Sequence, residues 1–215
     1  MLMTDKHFDQ KNLIFLAMAK YLSGFASYIY DVGIVIYLFS NTQSVGIVGG
    51  FFVSQLLPAI IILFTGKVID SHSKKKLMAM ANLLKGLIFV LLLFSQNIWV
   101  IYLVTFLMNL ILEFEGNTLS AFMVNAFSKE RLLKVSSVIN LLDSASLLTA
   151  PAIAAFIAMS FPIQANIILD VLLFLLTAVC FLCMGTNSAS EEDENKGPEN
   201  ENGWKDIIKN GGPCL

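Results

Sequence analysis

Charge is scarce in this chain. Only 14% of its 215 residues are Asp, Glu, Lys or Arg, against about 25% in an ordinary soluble domain. Histidine is limited to His7 and His72, both in polar segments, so neither is expected to relay protons. The three cysteines are Cys180, Cys183 and Cys214. The first two form a C-x-x-C inside an apolar run, with no histidine or third cysteine near them. They are expected to pack or to face lipid rather than to hold a metal or a redox disulfide. There is no Walker-type phosphate loop, no triad pattern, no zinc-ligand spacing and no nucleic-acid signature. These absences argue against an enzyme, and no cofactor, metal or nucleic-acid partner is expected.

What fills the space is hydrocarbon. Hydrophobic residues make up 56% of the chain and the mean hydropathy is +0.73. They come in runs of about twenty, the length that crosses a hydrocarbon core roughly 30 Å thick. The expected fold class is an all-α membrane protein, a six-transmembrane-helix bundle. Its spans are expected at 12–39, 45–65, 77–95, 98–124, 135–159 and 163–184. The first run is too long for a signal-peptide core and no cleavage site follows it, so it counts as a span.

The loops between these runs alternate in charge. Segments 1–11, 66–76, 125–134 and 185–215 hold every Lys and Arg except Lys20 and Lys85, while 40–44, 96–97 and 160–162 hold none. Basic residues stay on the cytoplasmic side of a bilayer. Both termini are therefore expected in the cytoplasm, in a multi-pass protein of the plasma membrane. Segment 1–11 reads as a cytoplasmic terminus and 12–186 as the bundle. Segment 187–203, rich in Ser, Glu, Asp, Asn, Gly and Pro, reads as a disordered acidic linker. Residues 204–215 open with Trp204-Lys205-Asp206-Ile207-Ile208-Lys209, the first turns of an amphipathic surface helix, and Gly211-Gly212-Pro213 breaks it.

One loop stands out. Gly66-Lys67-Val68-Ile69-Asp70-Ser71-His72-Ser73-Lys74-Lys75-Lys76 joins the second and third spans. Its pattern resembles the signature loop of the major facilitator superfamily, with Gly66, Asp70, Lys74 and Lys75 matching. Ser73 stands where that family has its second glycine, and Ser71 where it usually has arginine. Further pieces carry the resemblance in order: Asn12-Leu13, Gln55-Leu56-Leu57-Pro58, Phe127-Ser128-Lys129-Glu130-Arg131-Leu132 followed by Asn140, and Trp204-Lys205. Together they look like the amino-terminal half of a twelve-helix major facilitator transporter of the drug, macrolide or siderophore exporter branch. The resemblance implies transport of a small molecule, proton coupling, and a carboxyl-terminal half as partner. It also implies gating contacts made by the basic loop, with Asp70 at a helix end. In the fifth span Ser137, Ser146, Ala150, Pro151, Ala154 and Ala155 fall on the family's antiporter signature, serine or alanine standing for each glycine. Small residues at that spacing let helix backbones approach, and proline bends them. Ordinary small-residue packing accounts for the pattern equally well.

Ionisable residues at membrane depth are costly and generally face a cavity or a partner. Lys20, Gly24, Ser27 and Asp31 lie within an arc of roughly 60° on the first span. Asn109, Glu113, Gly116 and Ser120 repeat that spacing on the fourth. Asn140 and Asp143 follow on the fifth, and Asp170 on the sixth. The resemblance places the first and fourth spans along the central cavity, so Asp31, Glu113, Asp143, Lys20 and Asn109 are the expected substrate and proton pathway. Desolvation favours the neutral form of a carboxylate, which suits a group that alternates between a proton and a cationic substrate. Bland alternatives stand beside these roles. Lys20 and Lys85 reach an interface by snorkelling, Glu115 pairs with a basic loop residue, and Asp170 is hydrated near the outer mouth. At the level of the whole chain, a non-transporting partner of a full-length transporter remains open. So does the membrane domain of an ATP-driven exporter, which the short loops disfavour.

Overall fold

A computed structural model describes residues 2–61, 73–126 and 129–184. Gly66 and Asp70 of the basic loop, Phe127-Ser128, and the linker and tail expected at 187–215 lie outside the described residues. All described elements are helical: α1 (Leu2–Thr42), α2 (Val45–Leu56), α3 (Pro58–Ile61), α4 (Lys74–Phe94), α5 (Ile98–Ala126), α6 (Lys129–Ser160) and α7 (Ile163–Cys183). Segments Leu13–Thr42, Lys74–Phe94, Ile98–Val124, Arg131–Ser160 and Ile163–Cys183 are long and apolar enough to cross a bilayer.

The expected second span differs from a single helix. It divides at Leu57 into α2 and the one-turn α3, and the apolar stretch described there is Val45–Ile60. Pro58 is the cause, since proline removes an amide donor from the helical ladder. Leu57 itself keeps helical angles, φ −57° and ψ −39°, so the axis continues through the break. Several other ends extend past their expected limits. α1 begins at Leu2 and runs on to Thr42, α4 begins at Lys74, α5 continues to Ala126 and α6 already begins at Lys129. Pro151 sits inside α6 without ending it.

Local chemistry sets the turns. α1 stops where Gln43 takes φ +50°, in the left-handed region. The Asn41 and Thr42 side chains donate back to the carbonyls of Tyr37 and Leu38, at 2.8 and 2.7 Å. The Asn97 carboxamide oxygen accepts the Trp99 amide at 3.0 Å and caps the start of α5, satisfying a donor that no helical carbonyl reaches. At the basic end of the bundle the Lys75 ammonium donates to the carbonyl of Met184, tying the start of α4 to the end of α7. A cation on a helix C-terminus also offsets the dipole there.

α1 packs against α2, α6 and α7, while α4 lies between α5 and α7 and α5 reaches α2. One core collects Tyr30, Phe51, Phe89 and Phe174 with Ile34, Leu38 and Met108. Its rings meet edge-on, Tyr30 with Phe89 at 4.7 Å and Phe89 with Phe174 at 5.4 Å. A second core near the basic end gathers Leu16, Met78, Leu119, Ile139 and Phe181. A third, smaller one holds Ile29 against Ala150 and Ala154. The α1–α7 crossing depends on Gly33, because a Cβ there would collide with the buried Asn166 carboxamide. Cys180 is buried and Cys183 exposed, both free, in keeping with packing and lipid-facing positions.

Candidate functional site

Most hydroxyls of the polar stripes are satisfied by their own helices. Ser27 donates to the carbonyl of Ser23 at 3.0 Å, Ser120 to Gly116 at 2.9 Å and Ser137 to Leu133 at 2.8 Å. The Asn109 amide likewise donates to the Thr105 carbonyl at 2.9 Å. Such back-bonding is the usual resort of small polar residues inside helices. The groups with unspent chemistry are the carboxylates and the lysines.

Two carboxylates flank one tyrosine on the half-buried face of α1. Gln55 of α2 donates its Nε2 to an Asp31 oxygen at 2.7 Å. On the other side, Asp143 of α6 lies against Gly24, its Oδ1 3.2 Å from where a Cβ would stand. Tyr28 lies between, within electrostatic reach of both Asp143 and Asp31. Asp31, Tyr28 and Asp143 are all half-buried, so the charges are partly desolvated but reachable. A Cβ at Gly24 would meet Ser146 at an ordinary 3.7 Å but would crowd Asp143 Oδ1, which would have to give by a few tenths of an ångström.

Lys20 shares this face, one turn below Gly24. It is half-buried, and no carboxylate pairs with it among the described residues. Glu113 and Ser120 point outward from α5, while Gly116 opens onto empty space. Asn140 is exposed on α6.

Glu115 and Lys85 correct their expected roles. Among the described residues Glu115 pairs with no loop residue, and Lys85 is buried rather than at an interface. They pair with each other inside the bundle, with side chains 6% and 0% exposed. The Lys85 ammonium also donates to the Ser23 hydroxyl at 3.3 Å and stands 5.3 Å from the centre of the Phe174 ring. One cation therefore joins α1, α4, α5 and α7. Asp170 is corrected too. It is not at a wet mouth but fully buried, and neither carboxyl oxygen has a partner among the described residues. Asn166, one turn away, is buried with both polar atoms equally unpartnered.

The antiporter-like positions make up the α1–α6 contact. Ser146, Ala150 and Ala154 are buried, and Ser146 donates its hydroxyl to the Tyr21 carbonyl of α1 at 3.3 Å. Pro151 is half-buried beside them, while Ser137 is exposed and takes no part. Of the loop residues, Lys75 holds the end of α7, and Lys74 lies next to it at the start of α4.

Sequence reasoning missed three partners. Gln55 was visible as the only long polar side chain of α2. Tyr28 stands four positions after Gly24 and three before Asp31, a spacing that already puts it beside the polar stripe. The Lys85–Glu115 pair left no signal. Counted from the short turn between Phe94 and Ile98, Lys85 lies nine residues back and Glu115 seventeen on, so register alone does not match them.

Among the described residues no group of three or more His, Cys, Asp or Glu side chains could hold a metal. The arrangement offers instead a face of separated, partly desolvated charges in a membrane bundle, suited to binding and releasing a polar solute. A comparison with curated proteins finds no match. A family model described as Major Facilitator Superfamily matches residues 16–212, nearly the whole chain. The chain belongs to the Major Facilitator Superfamily and is a multi-pass membrane protein of a transporter family.

Proposed function

We propose that the chain supplies the amino-terminal six-helix half of a proton-coupled exporter of drug-like or macrolide-like small molecules. It would sit in the plasma membrane with both termini in the cytoplasm. The observation that carries this reading is the half-open face of α1, where Asp31, Tyr28 and Asp143 converge. Carboxylates are rarely kept at membrane depth without a task, and two beside a phenol suit a cationic solute that exchanges with protons. The outward-facing Glu113 of α5 extends the same acidic character, and Asn109 lies one turn from it. Lys20 adds a cation on the same face. Gly66, Asp70, Lys74 and Lys75 would form the gate at the basic end. The close α1–α6 seam through Ser146, Ala150, Pro151 and Ala154 would keep that side sealed to protons.

Alternating access needs two bundles rocking about a site near the midplane, and the described helices form one. The test is a split complementation. The chain is expressed alone or with a six-helix carboxyl-terminal half of a related exporter, and extrusion of a cationic dye from energised cells is measured. Extrusion only in the pair supports the reading. Proton-linked extrusion by the chain alone would contradict the half-transporter proposal. Extrusion in neither would favour a non-transporting partner.

A further inference from the structure

The charges inside the spans do not balance locally, and the imbalance has a direction. Lys85 is neutralised by Glu115. Lys20, half-buried one turn before Gly24, pairs with no carboxylate among the described residues. One turn further along α1, about 6 Å by helical rise, the sign reverses. Asp143 lies against Gly24 and forms no ion pair among the described residues, and Asp31 follows with the neutral Gln55 as its donor. Tyr28 stands between the two carboxylates.

We infer that this face binds solutes carrying both charges, with the anionic group at Lys20 and the cationic group among Asp143, Tyr28 and Asp31. The inference rests on the transport reading above and adds the substrate's second charge. An unpaired ammonium at membrane depth is unfavourable, and a carboxylate or phosphate of the solute relieves it. The separation is set by the helix. A solute whose opposite charges lie about one helical turn apart meets Lys20 and Asp143 without bending α1. A longer one extends towards Asp31, eleven positions from Lys20 and about 16 Å along the axis. A purely cationic solute would satisfy Asp143 and Asp31 but leave Lys20 uncompensated.

The test uses the full chain in nanodiscs and three fluorescent probes on one aromatic body. One carries a trimethylammonium group, one a carboxylate, and one both, about 6 Å apart to match a turn. Binding is read by anisotropy. The doubly charged probe is expected to bind about tenfold more tightly than the cationic one, a difference of about 1.4 kcal/mol. Lys20→Gln should remove that ratio and Lys20→Arg should keep it, which separates loss of charge from loss of fold. Equal affinity of the two probes for the unaltered chain, or a ratio that survives Lys20→Gln, overturns the inference. Asp143→Asn and Asp31→Asn report on the underlying reading instead. If the cationic probe binds these variants undiminished, the acidic site fails whatever Lys20 does. Binding of none of the three probes overturns both.

Discussion

At the scale of single residues, the chain keeps two kinds of buried charge that respond oppositely to mutation. Lys85 and Glu115 neutralise each other, so removing one strands the other. Lys85→Met or Glu115→Gln is expected to cost about 3–5 kcal/mol, whereas replacing both by apolar residues of similar volume should cost far less. Thermal unfolding of the single and double variants in detergent checks this, and additive losses would mean the two do not interact. Asp170 is the opposite case. Its carboxyl oxygens are buried without partners among the described residues, an arrangement that lowers stability. Asp170→Leu should therefore raise the melting temperature. A clear drop would reveal a bound partner at Asp170. The sequence displayed every one of these charges but not their partners. Lys85 and Glu115 lie 30 positions apart, and only the antiparallel pairing of α4 with α5 brings them together. Asp170 lies two turns into α7 and is buried in the bundle, which no local pattern reveals.

At the scale of elements, helix type and five spans of membrane length followed from the apolar runs, while the division of the second span and the limits of the helices did not. Polar residues such as Lys129 to Lys134 continue a helix once its apolar part is fixed, so α6 begins earlier than hydropathy suggests. Pro58 acts through one missing hydrogen bond, too local for a hydropathy window to register. The small residues of α1 and α6 were legible as a seam, and the structure assigns them their neighbours. Gly33 faces Asn166, while a Cβ on Gly49 would meet nothing within 4 Å. Gly33→Leu is expected to part α1 from α7 and lower stability by about 1–3 kcal/mol or more, as overpacking does. Gly49→Leu, in open space, should cost no more than helix propensity allows. A comparison of the two melting temperatures decides it, and equal effects would mean that the α1–α7 approach is not tight. On α6, Ala154→Leu should be costly and Phe156→Leu, on an exposed position, nearly neutral.

At the scale of the whole molecule, family membership rests on a match over residues 16–212, and the order of short motifs along the chain had already pointed there. The sidedness argued from basic loops is open to direct test. Cysteines placed at Thr42 and Asn97 should react with an impermeant thiol reagent in intact cells, whereas one at Ser73 should not. Labelling at Ser73 from outside would reverse the orientation. The central claim is that the Asp31–Tyr28–Asp143 face of α1 lies on the solute pathway. Its most direct test is dye extrusion by the complemented two-half transporter, carrying Asp31→Asn or Asp143→Asn at expression equal to the unaltered chain. Each amide keeps the size and hydrogen bonding of its acid and removes only the charge, so insertion should persist. Ser120→Ala, whose hydroxyl is bonded to its own helix, serves as the control. Both acidic variants are expected to lose extrusion of a cationic dye while the control retains it. Undiminished extrusion in both would show that these carboxylates do not lie on the pathway.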